Sequence, residues 1–496
     1  MSFSNGLCVD DKDMNNKYAK QKDHYLLLIV VAVLFLLGKL LLWDIYFFWD
    51  STAILSKPAH FLYENNFSSI IFPDNVIDDN LALCASLAFS WKIFGRSIFV
   101  THIFFIIIGL ILIYQSYKLC KIFVPEHTIF PYLFVLFISD TALVTQSLLF
   151  MTDTVMMLFA IMSIRYMLEN KKWAFSLSIL GLSLLRARGF FMCAGIGLSY
   201  FIYLFYLNHW KSPFKLLKQA IIPFLPCIIF LIGFLVFQSL STGSSVYYFR
   251  EDTPWSNQFQ IAGMKHLIKN VATAGRFFLD YGRIFLWIFL FFLIFKVGIK
   301  KMVRVQNISV PCIIFCSTLF CLLLVTLPIT NTFGFRYFIL PFMFFALISG
   351  ILLFRFIDIK KAKIICIGLI VGLWSGHCWI YPDKVSGGWD TVLAHVPYYQ
   401  LRRDALTYLE KHQIDFQSVG FFFPATPPGK YLELNDDERV FAKLDLATNQ
   451  YVAFSNIANW DDETIDEVTT HWILVKAFEK NRVFIRIYKN PMLNLN

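Results

Sequence analysis

The sequence predicts a polytopic α-helical membrane protein that ends in a small α/β soluble domain, and three observations lead there. Of 496 residues, 57% are hydrophobic and 16% are charged, against about 25% charged in an ordinary soluble domain. The apolar residues gather in runs of about 18–22, the length that crosses a bilayer core as a helix. Residues 25–43, 97–117, 219–240, 309–327, 335–354 and 363–380 are such runs. After residue 380 the pattern changes to a charged amphipathic segment and short β-rich runs. Inside lipid only a helix pairs all its backbone groups within one segment, so the long runs are read as helices.

Residues 1–24 are polar and mixed in charge, and no small-residue cleavage site follows the first run. The first span therefore reads as a retained anchor behind a cytoplasmic tail, 1–24. The net charge of +10 does not argue for nucleic acid, because most Lys and Arg sit in short loops between spans, as the positive-inside rule expects. Of ten Cys, nine lie in or beside apolar runs, with Cys8 the exception, and the final 115 residues have none. That usage argues against a disulfide framework.

Basic clusters then set the topology. Placing Lys118/Lys121, Lys171/Lys172, Lys211/Lys215/Lys218, Lys296/Lys300/Lys301/Arg304 and Arg355/Lys360/Lys361/Lys363 inside gives a closed alternation of eleven spans. Residues 129–150, 152–168 and 276–295 complete the set, with two short crossings in 173–208 that turn near Arg186 and Arg188. Residues 81–94 are short for a span and read as a re-entrant or surface helix. The transmembrane domain is thus 25–380, with outer loops 44–96 and 241–275, and 381–496 forms an extracytoplasmic domain. In that domain, 399–412 reads as an amphipathic helix with Leu401, Ala405, Leu406 and Leu409 on one face. Runs 418–423, 450–454, 471–476 and 482–488 read as strands, the last two joined by a polar turn near Glu479–Asn481. Asp461 and Asp462 start a further helix.

Candidate chemistry gathers at the outer boundary. Asp50 ends the aromatic run WDIYFFWD. It is either a solvated interfacial carboxylate beside a Trp belt or a site residue. Residues 51–66, with Ile54, Leu55, Pro58, Phe61 and Leu62 on one face, read as a helix lying on the membrane. Asp153, in FMTDTVMMLF, is either a helix cap or a second acidic site. Arg186 and Arg188, in LLRARGF, are costly charges in an apolar stretch that require partners. A phosphate or a structural carboxylate would serve. Arg276, Asp280 and Arg283 are spaced for pairing along one helix. Arg336, in FGFRYFILP beside Tyr337, either holds a lipid phosphate or snorkels to the interface. Tyr247, Tyr248, Arg250 and Trp255 suit either sugar stacking or interfacial anchoring.

Taken in order, these motifs resemble the membrane-embedded glycosyltransferases of the GT-C superfamily. The likeness is to bacterial members of glycosyltransferase family 39, the group of lipid A aminoarabinose transferases and protein O-mannosyltransferases. WDSTAILSKPAHFLYENNF resembles the family's catalytic segment, and DNLALCASLAFSWKIFGRS resembles the stretch that follows it. MTDTVMMLF, LLRARGF and FRYFILP resemble a second acidic site, a Leu-Thr-Arg segment and an Arg-Tyr segment. YPDKVSGGWDTVLAHVPYYQLRRDAL resembles the link to the outer domain. The chain departs from the family at Ser51, where Glu is frequent, and at Leu81-Ala82-Leu83, where His-Pro-Pro is frequent.

The resemblance implies a GT-C-like fold of about 11–13 transmembrane helices. It implies transfer of a sugar from a polyprenyl-phosphate-linked donor to a lipid, glycan or protein acceptor. Asp50 would be the general base. Asp78, Asp153, Arg186, Arg188, Arg336, Tyr337 and Tyr247 would contact substrate. Neither cofactor nor metal is required, although Asp50, Asp78 and Asp153 are compatible with a divalent cation. The expected compartment is a bacterial inner membrane with a periplasmic C-terminal domain. The competing readings are a non-catalytic binder of lipid-linked sugar and a flippase or transporter for it. Charges clustered at the boundary rather than along a midplane path favour the enzyme.

Overall fold

The computed structural model describes residues 11–73, 76, 80–208, 211–242, 260–330, 333–382, 384, 388–422, 426–458 and 460–494. The first helix, α1 (Asp11–Leu41), starts well before the predicted span, because residues 11–24 contain neither Pro nor Gly to stop it. A turn of π-helix (Thr52–Ser56) leads into α2 (Lys57–Glu64), followed by α3 (Leu81–Phe94) and α4 (Ile98–Phe123). The predicted run 129–150 is two helices, α5 (Phe130–Ile138) and α6 (Thr141–Leu148), bent by 68°. The bend falls at Asp140, whose carboxylate caps α6 by accepting the Ala142 N–H at 3.0 Å. Next come α7 (Thr152–Leu168), α8 (Lys172–Ser183) and α9 (Arg186–Leu207), the last two lying where two short crossings were expected, with their turn before Arg186.

α10 (Pro213–Ile221) and α11 (Leu225–Thr242) join through a 3₁₀ turn holding Pro223. The end of the segment expected as the outer loop 241–275 is itself helical, α12 (Met264–Phe277). The span expected at 276–295 begins only at α13 (Ile284–Val297), because Tyr281 and Gly282 take positive φ of 53° and 84° and break the helix. Gly282 is required there: a Cβ would collide with the Gly372 carbonyl. α14 (Ile299–Val303) and α15 (Ser309–Thr326) follow, and then a 3₁₀ turn (Phe335–Phe338) opens α16 (Ile339–Phe356). α17 (Ile359–Ser375) closes the bundle, capped by Asp358.

Every predicted crossing falls on a helix or helix pair. Among the described residues five helices are long and apolar enough to cross by themselves, or six with the bent pair α5–α6. Shorter apolar helices include Tyr25–Leu41 and Ile284–Val297. α16 stands at the centre, buried from Ile339 through Leu353, and packs on α5, α13, α15 and α17.

The surface helix expected at 51–66 is instead enclosed by protein. Ile54, Leu55, Pro58 and Leu62 are buried, but so are Ser56, Ala59 and His60 on the other side. His60 and Tyr63 meet Trp91 of α3 edge-on at 5.0 and 6.3 Å, and Ser56 donates to the Tyr431 carbonyl at 2.6 Å. An amphipathic pattern identifies a buried face without saying whether lipid or protein covers it.

The C-terminal domain is built on α18 (Pro397–Lys411), α19 (Gly429–Leu432), α20 (Asp462–His471) and five strands. These are β1 (Val419–Phe421), β2 (Ala442–Lys443), β3 (Tyr451–Ser455), β4 (Ile473–Lys480) and β5 (Val483–Lys489), in sheet order β2-β1-β3-β5-β4. β2, β1 and β3 are parallel, while β3–β5 and β5–β4 are antiparallel. Alternation separates the two faces. Val452, Phe454, Phe484 and Tyr488 pack with Ile465, Val468 and Trp472 around α20; Ala453, Ile485 and Ile487 belong to the main core with Leu401, Ala405 and Leu409 of α18. The expected hairpin turns through Asn481 and Arg482, both at positive φ (50° and 63°), as a two-residue turn between right-twisted strands requires. Two-residue β2 gave no readable pattern.

The domain is docked, not merely tethered. Phe47 N–H donates to the Leu432 carbonyl at 3.0 Å, Arg96 pairs with Asp436 at 2.9 Å, and Tyr46 meets Tyr399 ring to ring at 4.8 Å.

The expectation that Arg276, Asp280 and Arg283 pair along one helix holds only for Arg276 and Asp280, 3.3 Å apart. Arg283 instead grips Asp140 with two bonds of 2.7 and 2.9 Å and lies 3.6 Å over the Phe342 ring. The turn at Gly282 aims it inward, where both charges are buried. Substituting Arg283→Met or Asp140→Asn should each lower stability by about 3–5 kcal/mol, the cost of stranding a buried charge. The double variant should be no worse than the worse single, measured by thermal unfolding of the purified protein.

Candidate active site

The segment Ile45–Phe48 is fully buried, so the middle of the WDIYFFWD run is core, while Trp43 and Trp49 at its ends are half-buried. Phe48 stacks on His395 at 4.5 Å, and Phe47 leans on Phe150 at 5.2 Å. Trp49 then takes φ 54°, a conformation uncommon for a bulky residue and one that concentrates at functional sites. Ser51 holds the turn. Its buried hydroxyl donates to the Phe48 carbonyl at 2.7 Å and accepts the Phe48 N–H at 3.0 Å. Asp50 is delivered by this turn beside the first turn of the central helix.

There it meets Arg336. The Arg336 guanidinium is buried and hydrogen-bonds the Asp50 carboxylate through Nη2. Its Nη1 stands 3.1 Å from Asp390 Oδ2, and its Nε stands 3.9 Å from Asp153 Oδ2. Asp153, at the start of α7, is held in turn by Arg188 Nη1 at 2.7 Å. The Arg188 guanidinium lies 4.0 Å over the Tyr337 ring. The result is a chain of alternating charges, Arg188–Asp153–Arg336–Asp50, with Asp390 closing on Arg336. Arg188 Nη2 and Asp153 Oδ2 are buried without a hydrogen-bond partner, and Arg336 Nη1 faces Asp390 at 3.1 Å without an aligned hydrogen bond, so the guanidinium donors here are not fully used. Unmet buried donors of this kind are uncommon and mark a site with capacity for an anionic ligand.

Five of the predicted site residues therefore converge: Asp50, Asp153, Arg188, Arg336 and Tyr337. Asp153 is not a cap in the ordinary sense, since its side chain is spent on Arg188, and Arg336 does not snorkel. Arg186 begins α9, and its side chain lies outside the described residues, as do Asp78 and Tyr247. Among the described residues no group of three or more His, Cys, Asp or Glu stands at metal-ligand spacing; the carboxylates surround a guanidinium.

Sequence reading missed Asp390. Gly388 is needed to present it: its φ is 68°, and a Cβ would collide with the Tyr281 hydroxyl and the Phe335 ring. Thr391 closes the turn on the Gly388 carbonyl at 2.6 Å, and Gln146 of α6 donates to the Asp390 carbonyl at 2.6 Å. The available signal was GGWD, a Trp-Asp pair in the linker like the one that carries Asp50. Burial pushes the Asp390 carboxyl above the usual carboxylate range; Arg336 pulls it back, while Asp50 and Asp153 push the same way as burial. Ser51 also gains a role the sequence did not suggest, because the residue standing where relatives have Glu is a buried clasp.

No protein-family model matches the chain, and no curated protein sequence is significantly similar to it. Two solved structures of ArnT from Cupriavidus metallidurans have the same fold. One is bound to undecaprenyl phosphate (TM-score 0.50) and one is in the apo state (TM-score 0.51). Each is 10% identical, over 92% of this chain and 97% of that chain. The chain thus has the fold of an integral membrane protein, mostly helical with several apolar helices, and a small C-terminal mixed-sheet domain. Within that class the fold is ArnT-like.

Substituting Arg336→Met removes the cation that Asp50, Asp390 and Asp153 share and should lower stability by about 3–5 kcal/mol. Arg336→Lys keeps the charge but not the fork, and should recover part of that loss in thermal unfolding. A loss no larger than that of an exposed residue would overturn this account of the network.

Proposed function

We propose that the protein is a membrane glycosyltransferase that moves a sugar from a polyprenyl-phosphate-linked donor to a lipid, glycan or protein acceptor. The observation that carries this reading is the Asp50–Arg336–Asp153–Arg188 chain with its unmet guanidinium donors, set in an ArnT-like fold. One ArnT structure of that fold is described as bound to undecaprenyl phosphate, and a phosphate of that kind suits the incompletely used guanidinium donors of this cluster. The proposed working face is the outer face of a bacterial inner membrane, with the C-terminal domain in the periplasm.

Asp50 is the most exposed of the three carboxylates, at 22% against 13% for Asp390 and 1% for Asp153. It is the one that reaches an acceptor. In the proposed step Asp50 takes the proton of the acceptor hydroxyl as its oxygen attacks the anomeric carbon. The bond from that carbon to the donor phosphate oxygen breaks, and its electron pair leaves with the polyprenyl phosphate. Arg336 and Arg188 hold the phosphate and stabilise the charge growing on it. The phosphate competes with Asp50 for the Arg336 fork, so donor binding loosens the resting ion pair and raises the basicity of Asp50. The step uses no nucleotide and no metal.

Three carboxylates against two guanidinium groups leave the cluster net negative, which opposes a phosphate. Protonated Asp390 removes that excess, and its raised carboxyl keeps the proton to a higher pH than an ordinary Asp. As pH climbs past that point Asp390 ionises and donor binding should weaken. Asp390→Asn should flatten this pH dependence in a donor-binding titration; an unchanged profile would remove Asp390 from the account.

The decisive experiment is sugar transfer from radiolabelled polyprenyl-phosphate mannose, galactose and aminoarabinose, with cell-envelope extract as acceptor. Wild type and Asp50→Asn are compared in lipid nanodiscs. Asp50→Asn should lose about 10²–10⁴-fold in rate and still bind donor. Full activity in the variant would exclude Asp50 as base. A folded wild type that binds donor without turnover would favour a non-catalytic binder.

A further inference from the structure

A cavity of about 700 Å³ lies apart from the charge chain. It opens where α1 and α17 end and the β4–β5 hairpin reaches down to them. None of Asp50, Asp153, Arg188, Arg336 or Asp390 lines it. The aromatic layer between the two places includes Tyr399, which lines the cavity and stands 5.7 Å from Phe48 and 4.8 Å from Tyr46 on its other side.

Its walls divide by chemistry. The floor is apolar: Leu41, Leu42 and Ile45 from the end of α1, with Ile380 and Val396 opposite. The rim is cationic: Arg403 of α18, and Lys480 and Arg482 at the hairpin, against the single carboxylate Asp44. All three cations are exposed. Lys480 is steadied by Gln400, to which its ammonium donates at 2.7 Å, and no carboxylate among the described residues pairs with Arg403 or Arg482. Leu41 is 86% exposed, and Leu34, Leu37 and Leu40 continue the same bare aliphatic surface down α1. An apolar helix face left uncovered at span length faces lipid.

We propose that this cavity is a binding site for an anionic phospholipid, with the headgroup phosphate under Arg403, Lys480 and Arg482 and an acyl chain lying along α1. The occupant follows from the two halves of the site. A soluble anion would not need the aliphatic floor, and a zwitterionic lipid would leave the net positive rim unmatched. Basic groups at a membrane surface select anionic lipids in this way. A lipid seated there joins the hairpin of the C-terminal domain to the first span, next to the loop that carries Asp50.

The test is native mass spectrometry of the full-length protein in detergent, titrated with phosphatidylglycerol or phosphatidylcholine of identical acyl chains. Wild type should bind phosphatidylglycerol at least about tenfold more tightly. The triple variant Arg403→Gln, Lys480→Gln, Arg482→Asn should lose that preference. All three positions are exposed, and Asn tolerates the positive φ at 482. A control triple at Lys300, Lys301 and Arg304 removes the same charge elsewhere and should keep the preference. Equal binding of both lipids by wild type, an equal loss in the control triple, or a dimer mass that excludes lipid would each overturn the proposal. The readout is lipid binding alone, so it stands apart from any test of sugar transfer.

Discussion

A single buried guanidinium organises this protein. Arg336 sits in the first turn leading into α16, the helix most completely enclosed by the rest of the bundle. A charge at that depth persists only with partners, and it draws three from remote parts of the chain. Asp50 comes from the loop after α1, Asp153 from the start of α7, and Asp390 from the linker to the C-terminal domain. Moving any of these segments would leave an unpaired charge in apolar surroundings. The same interaction that shapes the site therefore also fixes the register of the loop after α1 and of the linker against the bundle.

Two turns in the left-handed region border this point. Trp49 and Gly388 are both in the left-handed region, and each lies within two residues of a carboxylate on Arg336. Their neighbours hold them there: Ser51 clasps the first turn, while Thr391 and Gln146 secure the second. Strained turns persist where surrounding contacts over-determine them. Asp140 and Arg283 play a quieter part. Their ion pair holds the bend between α5 and α6, and α6 carries the Gln146 that steadies Asp390.

The C-terminal domain belongs to the same construction. It packs on the π-turn and α2 through Tyr431 and Leu432, so the helix after Asp50 is clamped between α3 and the domain. Its hairpin returns to the end of α1. The site is consequently bounded by protein on the side where a lone surface helix would have left it open to lipid.

By itself the sequence determined the local and additive properties. Run length and charge placement marked the positions of the membrane helices. Alternation and turn residues marked β1, β3, β4 and β5, and the order of weak motifs singled out Asp50, Asp153, Arg188 and Arg336. Those signals survive because span length, period and interface charge are properties of contiguous residues. Only the tertiary structure decided who pairs with whom. Arg283 chose Asp140 over its helical neighbour Asp280, α2 was covered by protein instead of lipid, and Asp390 joined the site from a linker whose Gly-Gly-Trp-Asp looked like an ordinary turn. A buried charge takes whichever partner the fold brings within hydrogen-bond reach, and that distance is set by packing between segments far apart in the chain, which no local pattern encodes.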